Sequence, residues 1–165
     1  MGSKGLTTTL SLPNERSDMY TESDGKPMAE ADVHRDLMAD FIEMLKNHFK
    51  DRLDAYVSGN LLIYYEKGDP KKSVVPDVFV AFGIEKKLRR TYLLWEEDKG
   101  HDFVLETTSK STVQSDAADK KALYAQVLGV KEYYIYDPNH RYLHPFFLNL
   151  HKIDTLFLYQ NFSHF

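Results

Sequence analysis

The chain has 165 residues, a formal net charge of −4 and no cysteine. Its 42% of hydrophobic residues suffices for one packed domain, so a wholly disordered chain is excluded. The absence of cysteine excludes disulfides, thiol catalysis and cysteine-ligated metals. No apolar run approaches a membrane span, and the first residues lack a signal-peptide pattern, so we expect a cytoplasmic protein. The negative charge argues against a protein that coats nucleic acid.

The first half of the chain is predicted to contain an arm, a helix and several strands. Residues 1–27 are polar and rich in breakers, so we expect an N-terminal arm. Between residues 29 and 49 the apolar residues recur in steps of three and four, which predicts an amphipathic helix. Four short runs rich in β-branched and aromatic residues then predict strands, at residues 61–65, 74–82, 92–95 and 103–105.

The second half of the chain predicts one more helix and one more strand. Residues 115–128 return to a helical period, and residues 132–136 form an apolar run that ends before a turn signal. We therefore expect residues 28–145 to form an α/β domain, with a sheet covered by helices. Residues 146–165 are apolar and aromatic but fit neither period, so the pattern predicts no structure for this C-terminal tail.

Two carboxylates lie where a charge is costly. Asp77 stands between the apolar runs VVP and VFV, and Glu106 directly follows the apolar run FVL. A carboxylate in such a strand needs a cation, a cluster of hydrogen bonds or a metal. Because strands that follow each other often lie side by side, we expect the two side chains to converge. Converging oxygen ligands suit Mg²⁺ or Mn²⁺ better than zinc.

A lysine lies on the apolar side of the second predicted helix. One helical stripe contains Val113, Ala117, Lys120, Tyr124 and Val127, so Lys120 should face the sheet. With the two carboxylates, this lysine could support phosphodiester hydrolysis, in which a metal activates water and the lysine stabilises charge. A buried ion network that only holds the helix on the sheet is an open alternative, because structural networks also bury acids.

Several segments, in this order, resemble the Uma family of restriction endonucleases, which is abundant in cyanobacteria. They are VVPDVFVAFGI, TYLLWEE, HDFVLETTSKST and DKKALYAQVLGVKEYYIYDP. The first predicted helix, with His34, also resembles the family's opening helix, so the resemblance covers residues 29–145. It implies the PD-(D/E)XK nuclease superfamily, whose restriction-endonuclease-like core is a mixed central β-sheet flanked by helices. It also implies cleavage of DNA that depends on Mg²⁺ or Mn²⁺.

The resemblance assigns roles to individual residues. The Pro-Asp carboxylate matches Asp77 and the acid of the second motif matches Glu106. Both would be metal ligands, together with the backbone carbonyl of Thr107. The superfamily lysine would stand at position 108, which is Thr108 here. The family places a lysine on the following helix instead, and Lys120 matches that place.

Other residues are weaker candidates. The resemblance implies accessory roles on the first helix for Glu43 and His34, and an accessory position for Thr108. A basic run is the candidate for contact with the DNA backbone: Lys86, Lys87, Arg89 and Arg90. A homodimer is left open. Two rival functions are also left open, namely a catalytically silent module that binds DNA or protein, and a metal-dependent phosphodiesterase that acts on RNA or small phosphate esters.

Overall fold

The structure is a computed structural model that describes residues 32–108, 115–138 and 140–147. The predicted N-terminal arm, and the tail beyond residue 147, lie outside the described residues. The elements in chain order are α1 (Asp32–His48), β1 (Ala55–Ser58), β2 (Ile63–Tyr64), β3 (Ser73–Val74), β4 (Val78–Phe82), β5 (Tyr92–Leu93), α2 (Leu94–Glu97), β6 (Phe103–Thr107), α3 (Ser115–Ala122), a π-helical turn (Leu123–Val127), β7 (Glu132–Asp137) and β8 (Tyr142–Phe147).

The strands form a larger and a smaller sheet. The larger sheet has the order β1-β4-β6-β7-β8, and the smaller sheet has the order β3-β2-β5. Strands β6 and β7 are parallel, whereas the other neighbours in the larger sheet are antiparallel. The predicted mixed sheet is therefore confirmed. Strands β4 and β6 lie side by side because β5, which stands between them in the chain, belongs to the smaller sheet.

The two faces of the larger sheet are covered by different helices. On one face α1 packs Phe41 and its apolar neighbours against Leu105 and the residues that share its face. On the other face the π-helical turn packs Tyr124 against Val104 and its neighbours. Because successive strand residues point to opposite faces, Glu106 points to the side of the π-helical turn and Thr107 to the side of α1.

Several element boundaries differ from the sequence prediction. The run 74–82 is split between β3 and β4, and Pro76 lies in the break because it has no N–H for a strand ladder. The run 92–95 is a strand only at Tyr92–Leu93, and the short helix α2 follows it. The sequence did not predict β1. Strand β8 pairs with β7 and continues to Phe147, so the sheet includes the first residues of the tail.

The π-helical turn changes which residues face the sheet. Val127 was predicted to lie on the stripe that faces the sheet, and this is wrong, because the residue is 51% exposed. Leu128 is buried instead, and its N–H donates to the carbonyl of Leu123 over 3.1 Å. A turn closed by an i to i+5 bond holds one more residue than an α-helical turn, so the inward position moves by one. Within the described ranges, no helix is long and apolar enough to cross a membrane.

Candidate active site

The carboxylate of Asp77 lies directly before β4 and is held by Thr107. Its Oδ2 accepts hydrogen bonds from the Thr107 backbone N–H over 2.7 Å and from the Thr107 hydroxyl over 2.8 Å. Its Oδ1 lies 3.5 Å from Nε2 of His34. Burial acts to raise the pKa of Asp77, but the bonds from His34 and Thr107 outweigh it and hold the pKa below its usual value. Asp77 is therefore ionised at neutral pH, as a metal ligand must be.

The side chain of His34 joins this group from the first turn of α1. Its Nδ1 lies 2.7 Å from the Thr107 hydroxyl oxygen, which can accept an imidazole N–H while its own proton goes to Asp77. The three side chains form a continuous chain of polar contacts from α1 to the start of β4. The structure thus brings His34, which the family resemblance singled out, into contact with the first candidate ligand.

The carboxylate of Glu106 lies on the opposite face of β6 and is deeply buried. Its Oε1 accepts a hydrogen bond from the Tyr124 hydroxyl over 2.5 Å, and its Oε2 lies 3.1 Å from Nζ of Lys120. Burial raises the pKa of Glu106 to about 7. The negative charge of Asp77 acts in the same direction, while Lys120 and Tyr124 oppose the rise. Near neutral pH the carboxyl is poised between its protonated and ionised forms.

Strand register explains why the two carboxylates lie at the same end of the sheet. Val78 is paired with Leu105 in the antiparallel β4–β6 ladder. Asp77 directly precedes Val78 and Glu106 directly follows Leu105, so the two residues lie at the same end of β4 and β6. Lys120 on α3 contacts Glu106, and Asp77 lies near enough for its charge to raise the pKa of Glu106.

The Thr107 carbonyl was predicted as a third metal ligand. The β4–β6 ladder ends at Val78 and Leu105, so Thr107 lies beyond the residues of β6 that are paired with β4. Within the described ranges, no three side chains of His, Asp or Glu form a group that could hold a metal. The residues at this end of the sheet that could hold a cation are Asp77 and Glu106, with the predicted Thr107 carbonyl. An all-oxygen set of this kind suits Mg²⁺ or Mn²⁺, with waters filling the other positions.

Two accessory candidates are not brought to this site. Glu43 is exposed on α1, and nine residues of helix separate it from His34 by roughly 14 Å. Thr108 is tied to β7 instead, because its backbone N–H donates to the Tyr136 carbonyl over 2.9 Å.

The basic run lies at the other end of β4. It follows Phe82, and the length of β4 separates this end from Asp77 by roughly 16 Å. Nζ of Lys86 donates to the Phe49 carbonyl over 3.2 Å, at the C-terminal end of α1. Lys87 and Arg90 are exposed on the same segment.

The side chain of Arg89 is buried in the fold and is not available at the surface. Its side chain is 3% exposed, and two of its nitrogens each donate to the Glu97 carboxylate over 2.8 Å. Its guanidinium also stacks on the ring of Tyr56, 4.3 Å from the ring centroid. Arg89 therefore holds the segment against α2 and β1, and contact with DNA stays a prediction for the exposed members of the run.

Comparison with known proteins identifies the family. The family model described as "Uma2: Putative restriction endonuclease" matches residues 7–161. The chain belongs to this family. The match extends beyond residues 29–145, the range over which the motifs resemble the family. By its description, the family supports a nuclease function for the Uma2 chain.

A solved structure confirms the fold of this Uma2 protein. It is described as a "putative nuclease belonging to DUF820 from Anabaena variabilis ATCC 29413". It is 18% identical, with a TM-score of 0.56, and the match covers 79% of this chain and 72% of that chain. At this identity the likeness shows the fold alone, which is the predicted restriction-endonuclease-like fold. No curated protein matches the chain.

Two side-chain contacts in this Uma2 site were not foreseen. Tyr124 was placed on the stripe of Lys120, four residues away, but not assigned to Glu106. Thr107 was predicted to act through its backbone carbonyl, whereas its N–H and hydroxyl both hold Asp77. The spacing of Lys120 and Tyr124 was a usable signal, because residues four apart on a helix reach the same neighbour. No signal of that kind marked the Thr107 hydroxyl.

Proposed function

We propose that this chain is a metal-dependent endonuclease that hydrolyses DNA phosphodiester bonds with water as the nucleophile. The observation that carries the proposal is the pair of carboxylates at one end of β4 and β6, with a lysine on one of them. Membership of the Uma2 family supports the choice of nucleic acid as substrate.

The residues of the chain have distinct roles in this proposal. Asp77 and Glu106 would hold the divalent cation, together with the Thr107 carbonyl. When bound, the cation lowers the pKa of a water molecule and offsets negative charge on the phosphate. The side chain of Lys120 is 37% exposed, against 16% for Asp77 and 7% for Glu106, so it can turn from Glu106 towards a bound phosphate. There its ammonium group would stabilise the charge that develops in the transition state.

Plasmid cleavage tests the proposal directly. We expect the wild-type chain to nick or linearise supercoiled DNA with Mg²⁺ or Mn²⁺ and to be inactive with a chelator. Asp77→Asn and Lys120→Ala should each lower the rate by more than about 100-fold. Lys121→Ala is a matched control, because that lysine is exposed on the next position of the helix, and its rate should stay near that of the wild type. Equal cleavage by all four chains, or cleavage in the chelator, would refute the assignment.

The same assay separates the rival functions. Cleavage of RNA or of small phosphate esters, with intact DNA, would replace the substrate and keep the metal chemistry. A chain that cleaves none of these, and whose Mn²⁺ binding measured by calorimetry is unchanged in Glu106→Gln, would be a silent binding module.

DNA contact by the basic run is a separate part of the proposal. Lys86 and Arg89 order the segment through their contacts with Phe49 and Glu97. Lys87, whose Nζ lies 3.9 Å from Glu97, and Arg90 are exposed and are candidates for phosphate contact. We expect Lys87→Ala to weaken DNA binding. The slope of log affinity against log salt concentration should become shallower by about one, the value for one phosphate contact. An unchanged salt dependence would remove this segment from the DNA interface.

A further inference from the structure

The π-helical turn places a buried tyrosine against the candidate metal ligand. Tyr124 is fully buried, and its hydroxyl donates to Oε1 of Glu106 over 2.5 Å. The turn is closed by the bond from the Leu128 N–H to the Leu123 carbonyl over 3.1 Å, and beyond the turn the Val130 N–H donates to the Tyr124 carbonyl over 2.9 Å. Such turns are rare inside helices and occur frequently at functional sites.

The two oxygens of Glu106 have partners of different character. Oε1 is held by the Tyr124 hydroxyl, whose ring is enclosed and packs on Tyr133 with 5.1 Å between the ring centroids. Oε2 faces Lys120, whose side chain is partly exposed on a long, flexible stem. The tyrosine contact is therefore fixed by packing, whereas the lysine can leave without moving the backbone.

Asp77 shows the same division. Its Oδ2 is held by the N–H and hydroxyl of Thr107, and its Oδ1 faces His34. Each carboxylate thus has one oxygen fixed by short hydrogen bonds and a second oxygen directed at a basic side chain. Hydrogen bonds of this kind set the rotamer of a ligand before a metal arrives, and their loss typically lowers metal affinity by about 10- to 100-fold.

We propose that Tyr124 is a positioning residue for the metal site, and that its hydroxyl fixes Oε1 of Glu106 so that Oε2 is the oxygen offered to the cation. The inference rests on the proposed metal-dependent function and adds to it a residue that does not touch the cation. Lys120 contacts Oε2, and its ammonium group would be free to turn towards the substrate if a cation took its place at Glu106.

Tyr124→Phe tests the inference, because it removes the hydroxyl and keeps the ring. Tyr92→Phe is a matched control, since Tyr92 is also fully buried and its hydroxyl donates to the Lys99 carbonyl over 2.8 Å, outside the site. Calorimetric titration with Mn²⁺ should show an affinity about 10- to 100-fold weaker for Tyr124→Phe and close to wild type for Tyr92→Phe. For Tyr124→Phe, the Mn²⁺ concentration that gives half-maximal cleavage should rise by the same factor. At saturating Mn²⁺ its cleavage rate should fall by less than this factor.

The outcomes are distinguishable. If the two variants lose similar thermal stability and bind Mn²⁺ like the wild type, Tyr124 is structural and the inference is wrong. If the wild type itself binds no Mn²⁺, the proposed function fails and the inference fails with it. If Tyr124→Phe does not fold, ultraviolet difference absorption of the wild type decides. A tyrosine perturbation on adding Mn²⁺, retained in Tyr92→Phe, supports the inference, and its absence overturns it.

Discussion

The buried carboxyl of Glu106 should make the stability of the metal-free protein depend on pH. Burial raises its pKa from 4.5 to about 7, helped by the charge of Asp77 and opposed by Lys120 and Tyr124. Below about pH 4.5 the folded and unfolded chains both hold the proton. Between about pH 4.5 and 7 the unfolded chain releases it while the folded chain keeps it, so stability falls as the pH rises. At about 1.4 kcal/mol for each pH unit, the loss is roughly 3 kcal/mol.

Glu106→Gln removes this titration and keeps an oxygen that can accept the Tyr124 hydroxyl. We expect the free energy of unfolding of the variant, relative to the wild type, to increase by about 3 kcal/mol between about pH 4.5 and 8. Urea unfolding of both chains in a chelator measures this difference. Glu43→Gln, on the exposed side of α1, controls for the loss of one negative charge. Parallel pH profiles for wild type and Glu106→Gln would refute the reasoning.

Three further substitutions test other parts of the structure. Both ring nitrogens of the buried His101 lack a hydrogen-bond partner within the described part of the chain, and burial lowers its pKa to about 3. The folded chain keeps His101 neutral, so stability is unaffected by its titration above about pH 6.5 and falls as the pH decreases towards 3. In urea unfolding, His101→Phe should therefore be less sensitive to acid, and about 1 kcal/mol more stable at neutral pH because no unpaired ring nitrogen is buried. Thr107→Val removes the hydroxyl bond to Asp77 and should cost about 1 to 2 kcal/mol in urea unfolding, with Thr107→Ser close to wild type. Arg89→Lys loses the double contact with Glu97 and should lower the unfolding free energy by about 2 kcal/mol, whereas no change would show that this contact is not stabilising.

The sequence predicted most elements of the larger sheet and both long helices. A helical period and short apolar runs depend only on the order of apolar and polar residues, so α1, β4, β6 and β7 could be predicted without a structure. Strand β1 has the residues AYVS, which is too short an apolar run to mark a strand. The sequence also could not predict that β5 belongs to the smaller sheet, because strand neighbours depend on contacts between distant segments.

Within the site, the sequence predicted the identity of residues better than their contacts. Asp77 and Glu106 were marked by apolar neighbours, and Lys120 by its helical stripe. The basic run showed the limit of a pattern, because a charged segment looks the same whether its side chains contact solvent or each other. Arg89 and Glu97 are eight residues apart, and only the folded segment pairs them.

The sequence by itself determined which acids and which lysine carry the candidate chemistry, because a charge among apolar residues needs a partner in any fold. Only the tertiary structure decided which oxygen each partner holds. Tyr124, Thr107 and His34 come from three separate segments, and the π-helical turn that aims Tyr124 at Glu106 depends on packing against the sheet. Hydrogen bonds act over about 3 Å, so their pattern exists only after the sheet and helices have brought these segments into contact.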